Sequence, residues 1–160
     1  HKEYRRQRQM CIRDRIKPAN GKISSFISRS NKNRTKMMSS KIKGKEAITN
    51  YKTIENLKTS KGNTIASVIE CKLHTGRTHQ IRVHMTDKGH PLIGDNTYGR
   101  SPQGKLKQLS DRAISAINEL PGQALHAKTL GFIHPKTEKA QLFQSVIPDY
   151  LSNLINSIKS

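Results

Sequence analysis

The chain has 160 residues, about one domain's worth, and its 30 Lys and Arg against 11 Asp and Glu give a formal charge of +19. Such an excess repels itself unless a polyanion neutralises it, and phosphate contacts release counterions, so RNA or DNA is the expected partner. No apolar run approaches membrane-spanning length. The two cysteines, Cys11 and Cys71, form neither a disulfide framework nor a CxxC pair, so a cytoplasmic, monomeric protein is expected.

His1–Arg15, "HKEYRRQRQMCIRDR", differs in texture from the rest: dense in Arg and Gln, with no period and no apolar signal core. It reads as an extension to the fold. It is either a disordered basic tail or, in whole or part, a translated sequencing adapter, because "MCIRDR" is one reading frame of ATGTGTATAAGAGACAG run into neighbouring bases. Six Lys/Arg and two Asp/Glu lie in it, so without it the charge falls only from +19 to +15.

The folded unit is expected over residues 16–160. "NGKISSFISRS" carries Ile23 and Ile27 and reads as a short strand. "NKNRTKMMSSKIKGKE" reads as a basic loop, with Arg29, Lys32, Arg34, Lys36, Lys41, Lys43 and Lys45 in and around it. "AITNYKTIEN" and "TIASVIECKL" read as a hairpin joined by "TSKGN", the second strand alternating Ile65, Ser67, Ile69 and Cys71. "THQIRVHMTDK" alternates like a strand at Ile81, Val83 and Met85, but Thr78 can N-cap, Gly89 suits a C′ position and Pro91 cannot continue a helix. The capping chemistry therefore predicts a helix over Thr78–Lys88. After a Gly/Pro-punctuated loop come a helix over Leu106–Leu120, two strands in "QALHAKTLGFIHP" and "EKAQLFQSVIP", and a closing helix over Asp149–Ile158. The class is α+β, with no repeat and no second domain.

The richest cluster is "TGRTHQIRVHM", Thr75–Met85. Metal binding does not suit it: His79 and His84 are five apart, about 140° around a helix, and no carboxylate completes a ligand set at the usual spacing. His84 and His126 are expected to be interior hydrogen-bonding residues. No GxSxG elbow and no GxxxxGK loop occurs, and Cys71 falls inside a predicted strand. A half-buried Arg82 between Ile81 and Val83 needs a partner, because an unpaired buried charge is costly. Two readings stay open: a structural salt bridge, or a catalytic carboxylate oriented by the guanidinium fork.

"HTGRTHQIRVHM" followed by "GHPLIGDNTYG" resembles the signature of the RluA-type RNA pseudouridine synthases, and "NRTKM", "GKEAITNY", "QALHAKTLGFIHP" and "VIPDYLSNLI" resemble flanking segments in the same order. The resemblance implies a mixed, largely antiparallel sheet flanked by helices, and isomerisation of uridine in rRNA or tRNA without metal or cofactor. It also implies that Arg82 pairs with a nucleophilic Asp. That Asp belongs to an "HRLDxxTSG" motif, which is absent here, as is the Tyr motif after it; the aspartates are Asp14, Asp87, Asp95, Asp111 and Asp149. The chain is therefore expected to be the C-terminal part of a catalytic domain, inactive alone, with Asp95 a structural loop residue. Arg34, Lys36, Arg77 and His79 are the candidate RNA contacts. The alternative is a basic RNA-binding or ribosome-associated module without catalysis.

Overall fold

The computed structural model describes residues 5–99 and 107–159, with residues 5–6 and 9–13 described through their backbone. Seven strands, β1 (Arg5–Arg13), β2 (Asn20–Arg29), β3 (Met37–Ser40), β4 (Lys45–Lys58), β5 (Thr64–Leu73), β6 (Leu125–Ile133) and β7 (Ala140–Gln144), form one sheet in the order β3-β2-β4-β5-β1-β6-β7. Among the described residues three helices accompany it: α1 (Gln80–Asp87), α2 (Asp111–Asn118) and α3 (Asp149–Lys159). The fold is α+β as expected, and each pairing among the described residues is antiparallel.

Helices cover both faces, so the central strands are buried on both. Ile69, Cys71 and Leu73 of β5 pack with Ile81 and Met85 of α1. The alternate positions Ala66 and Val68 pack with Ala113 of α2 and Leu151, Leu154 and Ile158 of α3. β4 joins both clusters although Tyr51 and Leu57 have the same parity: a register shift between Thr53 and Glu55 inserts an extra residue and turns the later strand over. Tyr51 consequently lies opposite Cys71, and Leu57 opposite Ala66.

Four expectations change. Arg5–Arg13, for which a disordered basic tail is one of the two readings, forms β1 between β5 and β6. Ladder bonding on two sides satisfies its backbone whatever its side-chain pattern, and Ile16 beyond it is core. β3, read as loop, is a four-residue strand stabilised by pairing with β2. The helix expected from Leu106 starts at Asp111, where the Ser110 hydroxyl accepts from the Ala113 amide at 3.3 Å; Leu106 itself lies outside the described residues. In α1 the N-cap is His79, not Thr78. The far end is as expected: Gly89 adopts φ +81°, its amide donates to Thr86 O at 2.9 Å and the His90 amide donates to Met85 O at 2.8 Å, a Schellman ending.

His84 anchors α1 to the sheet. It is fully buried, with Nδ1 2.9 Å from Thr49 Oγ1 on β4 and Nε2 3.0 Å from Ser25 Oγ on β2. His126 is also buried, with Nε2 3.2 Å from Ser145 O. Both are the interior hydrogen-bonding histidines expected. Burial pushes the His84 imidazole from 6.5 down to about 4, against the opposing Asp87 charge. The folded pKa lies below the unfolded one, so the unfolded chain takes up the extra proton between them. The stabilisation is complete above pH 6.5 and drains away as pH falls toward about 4. At about 1.4 kcal/mol per pH unit this contributes on the order of 3 kcal/mol. Urea midpoints measured from pH 7 to 4 are expected to fall more steeply for the wild type than for His84→Gln; parallel profiles would show that His84 does not carry the effect.

Candidate active site

The site gathers around the N-terminal half of α1. Gln80 organises the approach: its Oε1 accepts from Thr75 Oγ1 at 2.7 Å and from the Arg77 amide at 3.0 Å, while its Nε2 donates to Ile48 O and Thr49 Oγ1 on β4. The "TGRTHQ" run is thus sewn to the middle of the sheet before the helix begins. His79 then takes a left-handed conformation, φ 54°, and makes no side-chain cap bond, a backbone cost that tertiary contacts must offset.

Arg82, in the first turn of α1, forms a two-bond fork with Asp95: Nε to Oδ2 and Nη2 to Oδ1, both 2.8 Å. The Asp95 side chain is fully buried and that of Arg82 is 12% exposed. Asp95 Oδ1 also accepts from the Thr97 and Tyr98 amides at 3.0 Å each. Burial raises the Asp95 carboxyl, but the Arg82 hydrogen bond, helped by the two amides, outweighs it and holds the group below the usual carboxylate range. Reciprocally, the hydrogen bond to Asp95 raises Arg82 against its own burial. The guanidinium carbon of Arg82 lies over the Tyr98 ring, 4.9 Å from its centroid.

Arg82 therefore has a carboxylate partner within the chain, the structural salt bridge that is one of the two readings of its sequence context. Asp95 is loop structure, as read, and it is also the ion-pair partner. The local pattern was legible in part, since Asp accepting amides two and three residues on is an Asx turn. Nothing in sequence spacing pairs positions 82 and 95. Gly94 supports the arrangement: at φ +74° an added Cβ would come within 2.6 Å of Gly122 O, so glycine alone lets the loop seat Asp95.

Tyr98 is the second residue that sequence reasoning passed over. Its hydroxyl lies 2.7 Å from the Met37 amide, which donates to it, and 2.8 Å from His79 Nδ1. Its ring meets His79 edge-on at 5.6 Å. Burial, reinforced by the Arg82 charge and opposed by Asp95, lowers the His79 pKa.

The four candidate RNA contacts fall at one end of the sheet, but do not converge on one point. His79 sits on Tyr98. Lys36 is half-buried and adjoins Met37. Arg77 donates from Nε to Glu46 O at 2.8 Å, at the start of β4. Arg34 is exposed at the tip of the β2–β3 hairpin, where its carbonyl accepts from Arg29 Nη1. No set of three or more His, Cys, Asp or Glu converges to hold a metal among the described residues. Burial, with the Glu70 charge, pushes the Cys71 thiol up to about 12, the reverse of an activated nucleophile. No helix among the described residues is long and apolar enough to cross a membrane.

Removing the Asp95 carboxylate leaves a largely buried guanidinium and two amides unpaired. Asp95→Ala is expected to cost on the order of 3–5 kcal/mol, and Arg82→Met/Asp95→Leu less than the sum of the single changes. Urea denaturation of the three variants measures both; a loss under about 1 kcal/mol for Asp95→Ala would mean the pair does not hold the loop.

Comparison with known proteins bears on the family and the fold. The family model for RNA pseudouridylate synthase matches residues 1–87. The chain is 39% identical over 151 residues to ribosomal large subunit pseudouridine synthase D of Neisseria meningitidis, covering 93% of the chain and 37% of that protein. It is 40% identical over 153 residues to the protein of the same name from Zymomonas mobilis, covering 95% and 44%. The chain thus spans less than half the length of these relatives. Human RNA pseudouridylate synthase domain containing 1 shares the fold, with a TM-score of 0.69 at 24% identity over 91% of this chain and 55% of that one. Human RNA pseudouridylate synthase domain containing 4 does so with a TM-score of 0.68 at 18% identity, over 98% and 62%. The chain belongs to the RNA pseudouridylate synthase family, in its RluA-type branch.

Proposed function

We propose that this chain is the RNA-gripping and arginine-presenting part of a cytoplasmic enzyme that isomerises uridine to pseudouridine in RNA, and that it does not perform the reaction alone. The observation that carries the reading is the mounting of Arg82. Asp95 occupies its Nε and Nη2, its carbon lies over the Tyr98 ring, and Nη1 makes no hydrogen bond among the described residues. A guanidinium fixed along one edge and held over a ring can offer its remaining N–H groups to a second carboxylate at no further orientational cost.

Asp95 itself does not suit the nucleophile's role. Its side chain is fully buried and its oxygens are taken by Arg82, Thr97 and Tyr98, whereas a nucleophile must reach a carbon of the ribose or the base. The attacking aspartate is assigned instead to an "HRLDxxTSG" motif, which this sequence lacks. Beside Arg82 such a carboxylate would stay ionised and oriented for attack. The reaction breaks the N1–C1′ bond, joins C5 to C1′, releases the C5 proton to solvent and protonates N1, with no redox change and no cofactor needed. The names of the relatives favour ribosomal RNA as substrate. The +19 charge supports a phosphate-tracking surface, in which Arg34, Lys36, Arg77 and His79 are assigned as contacts. With 4% aromatic residues and no Trp, recognition rests on backbone and shape more than on base stacking.

Purified chain incubated with RNA carrying [5-³H]uridine is expected to release no tritium; release above a protein-free control would overturn the assignment of the nucleophile. In the same preparation, Arg34→Ala/Lys36→Ala is expected to weaken RNA binding. It should also flatten the plot of log K against log salt by about 1.4, two contacts at about 0.7 each. An unchanged slope would remove both residues from the RNA surface.

A further inference from the structure

The RNA surface proposed above has a mechanical weakness. Arg34 and Lys36 are carried by the β2–β3 hairpin, whose outer strand β3 is four residues long and lies at the edge of the sheet. A short edge strand has little stability of its own. The turn before it is closed locally: the Ser30 amide donates to Lys36 O at 2.9 Å, the Lys36 amide to Asn33 O at 3.0 Å, and the Thr35 amide to Asn33 Oδ1 at 3.0 Å. These bonds shape the tip but do not fix where it points.

We propose that the Tyr98 hydroxyl is a latch that positions this basic hairpin against the N-terminus of α1, making Tyr98 a positioning residue for the RNA-binding surface. The proposal rests on the reading of Arg34 and Lys36 as phosphate contacts. The Met37 amide, next to Lys36, donates to Tyr98 Oη, and the same oxygen bonds His79 Nδ1. A phenol oxygen that accepts from Met37 has one proton to give, and His79 Nδ1 is placed to take it as a neutral acceptor. His79 is then left with its proton on Nε2 and is held in its left-handed backbone conformation. Three elements meet at this atom: the hairpin through Met37, the start of α1 through His79, and the Gly94–Gly99 loop that carries Tyr98. Beneath it, Ile27, Ala47 and Val83 form a small apolar cluster against which Met37 and Tyr98 pack. Arg82 also lies over the Tyr98 ring, so hairpin and guanidinium meet the same side chain.

Tyr98→Phe tests the hydroxyl alone, because the ring keeps its packing and its face toward Arg82. The probe is a fluorescein-labelled RNA stem-loop of about 40 nucleotides, whose stem spans the roughly 16 base pairs that a shape-reading RNA module covers, titrated against the 160-residue chain at several salt concentrations. Tyr98→Phe is expected to speed exchange of the Met37 amide and weaken RNA binding about five-fold, the worth of a typical hydrogen bond. It should flatten the salt dependence in the same sense as Arg34→Ala/Lys36→Ala. Placed on top of that double variant, it is expected to add almost nothing, since a latch acts only through what it positions. Faster Met37 exchange with unchanged RNA affinity would overturn the latch, as would additive losses in the triple variant. If Arg34→Ala/Lys36→Ala itself leaves binding unaltered, the phosphate-contact reading and the latch fall together; if only Tyr98→Phe is silent, the latch alone falls.

Discussion

The Arg82–Asp95 fork is the interaction on which the site depends. A fully buried carboxylate persists only when its lost hydration is replaced, and here four directed donors replace it: two from the guanidinium and two from the Thr97 and Tyr98 amides. A pair of this kind is weak evidence for net stability, because desolvation consumes much of the Coulombic gain. Its consequence is geometric. It binds the loop after Gly94 to the first turn of α1, and the amides it engages set the direction in which Tyr98 leaves that loop. Tyr98 then meets Arg82, His79 and Met37.

The sheet supplies the rigid base for that arrangement. β5 is packed on both faces, by α1 on one and by α2 and α3 on the other, so neither side can yield without opening a core. α1 is held against it by polar bonds as well as apolar contact: Gln80 and His84 both reach Thr49. A buried network whose members are all paired fixes one orientation where an apolar contact alone tolerates sliding. Arg82 inherits its direction from those neighbours.

Much of this was legible in the residues, and for definite reasons. The Gly89 and Pro91 signals ended α1 where the backbone ends it, because C-terminal capping is local chemistry. The need of Arg82 for a partner followed from the cost of an unpaired buried charge, and one of the two partners considered, a structural salt bridge, is present. The identity of that partner was not legible, since residues 82 and 95 meet only after the chain turns at Gly89 and Gly94. The start of α1 was misread by two residues because His79 uses a left-handed conformation that tertiary bonds sustain. β3 was read as loop for a related reason: its four residues have no strand character until β2 lies beside them. β1 gave no periodic signal, yet it fills the gap between β5 and β6, with backbone ladders on both sides.

The sequence by itself determined the charge excess that a polyanion would neutralise, and the family, through ordered motifs; it also determined the positions of most strands and helices, through local periodicity and caps. These properties depend on composition or on neighbours a few residues apart. Only the tertiary structure decided which carboxylate holds Arg82, that Tyr98 joins hairpin, helix and loop, and that β4 changes face at its bulge. Each of those depends on side chains far apart in sequence being brought within hydrogen-bonding distance, and no local pattern encodes that approach.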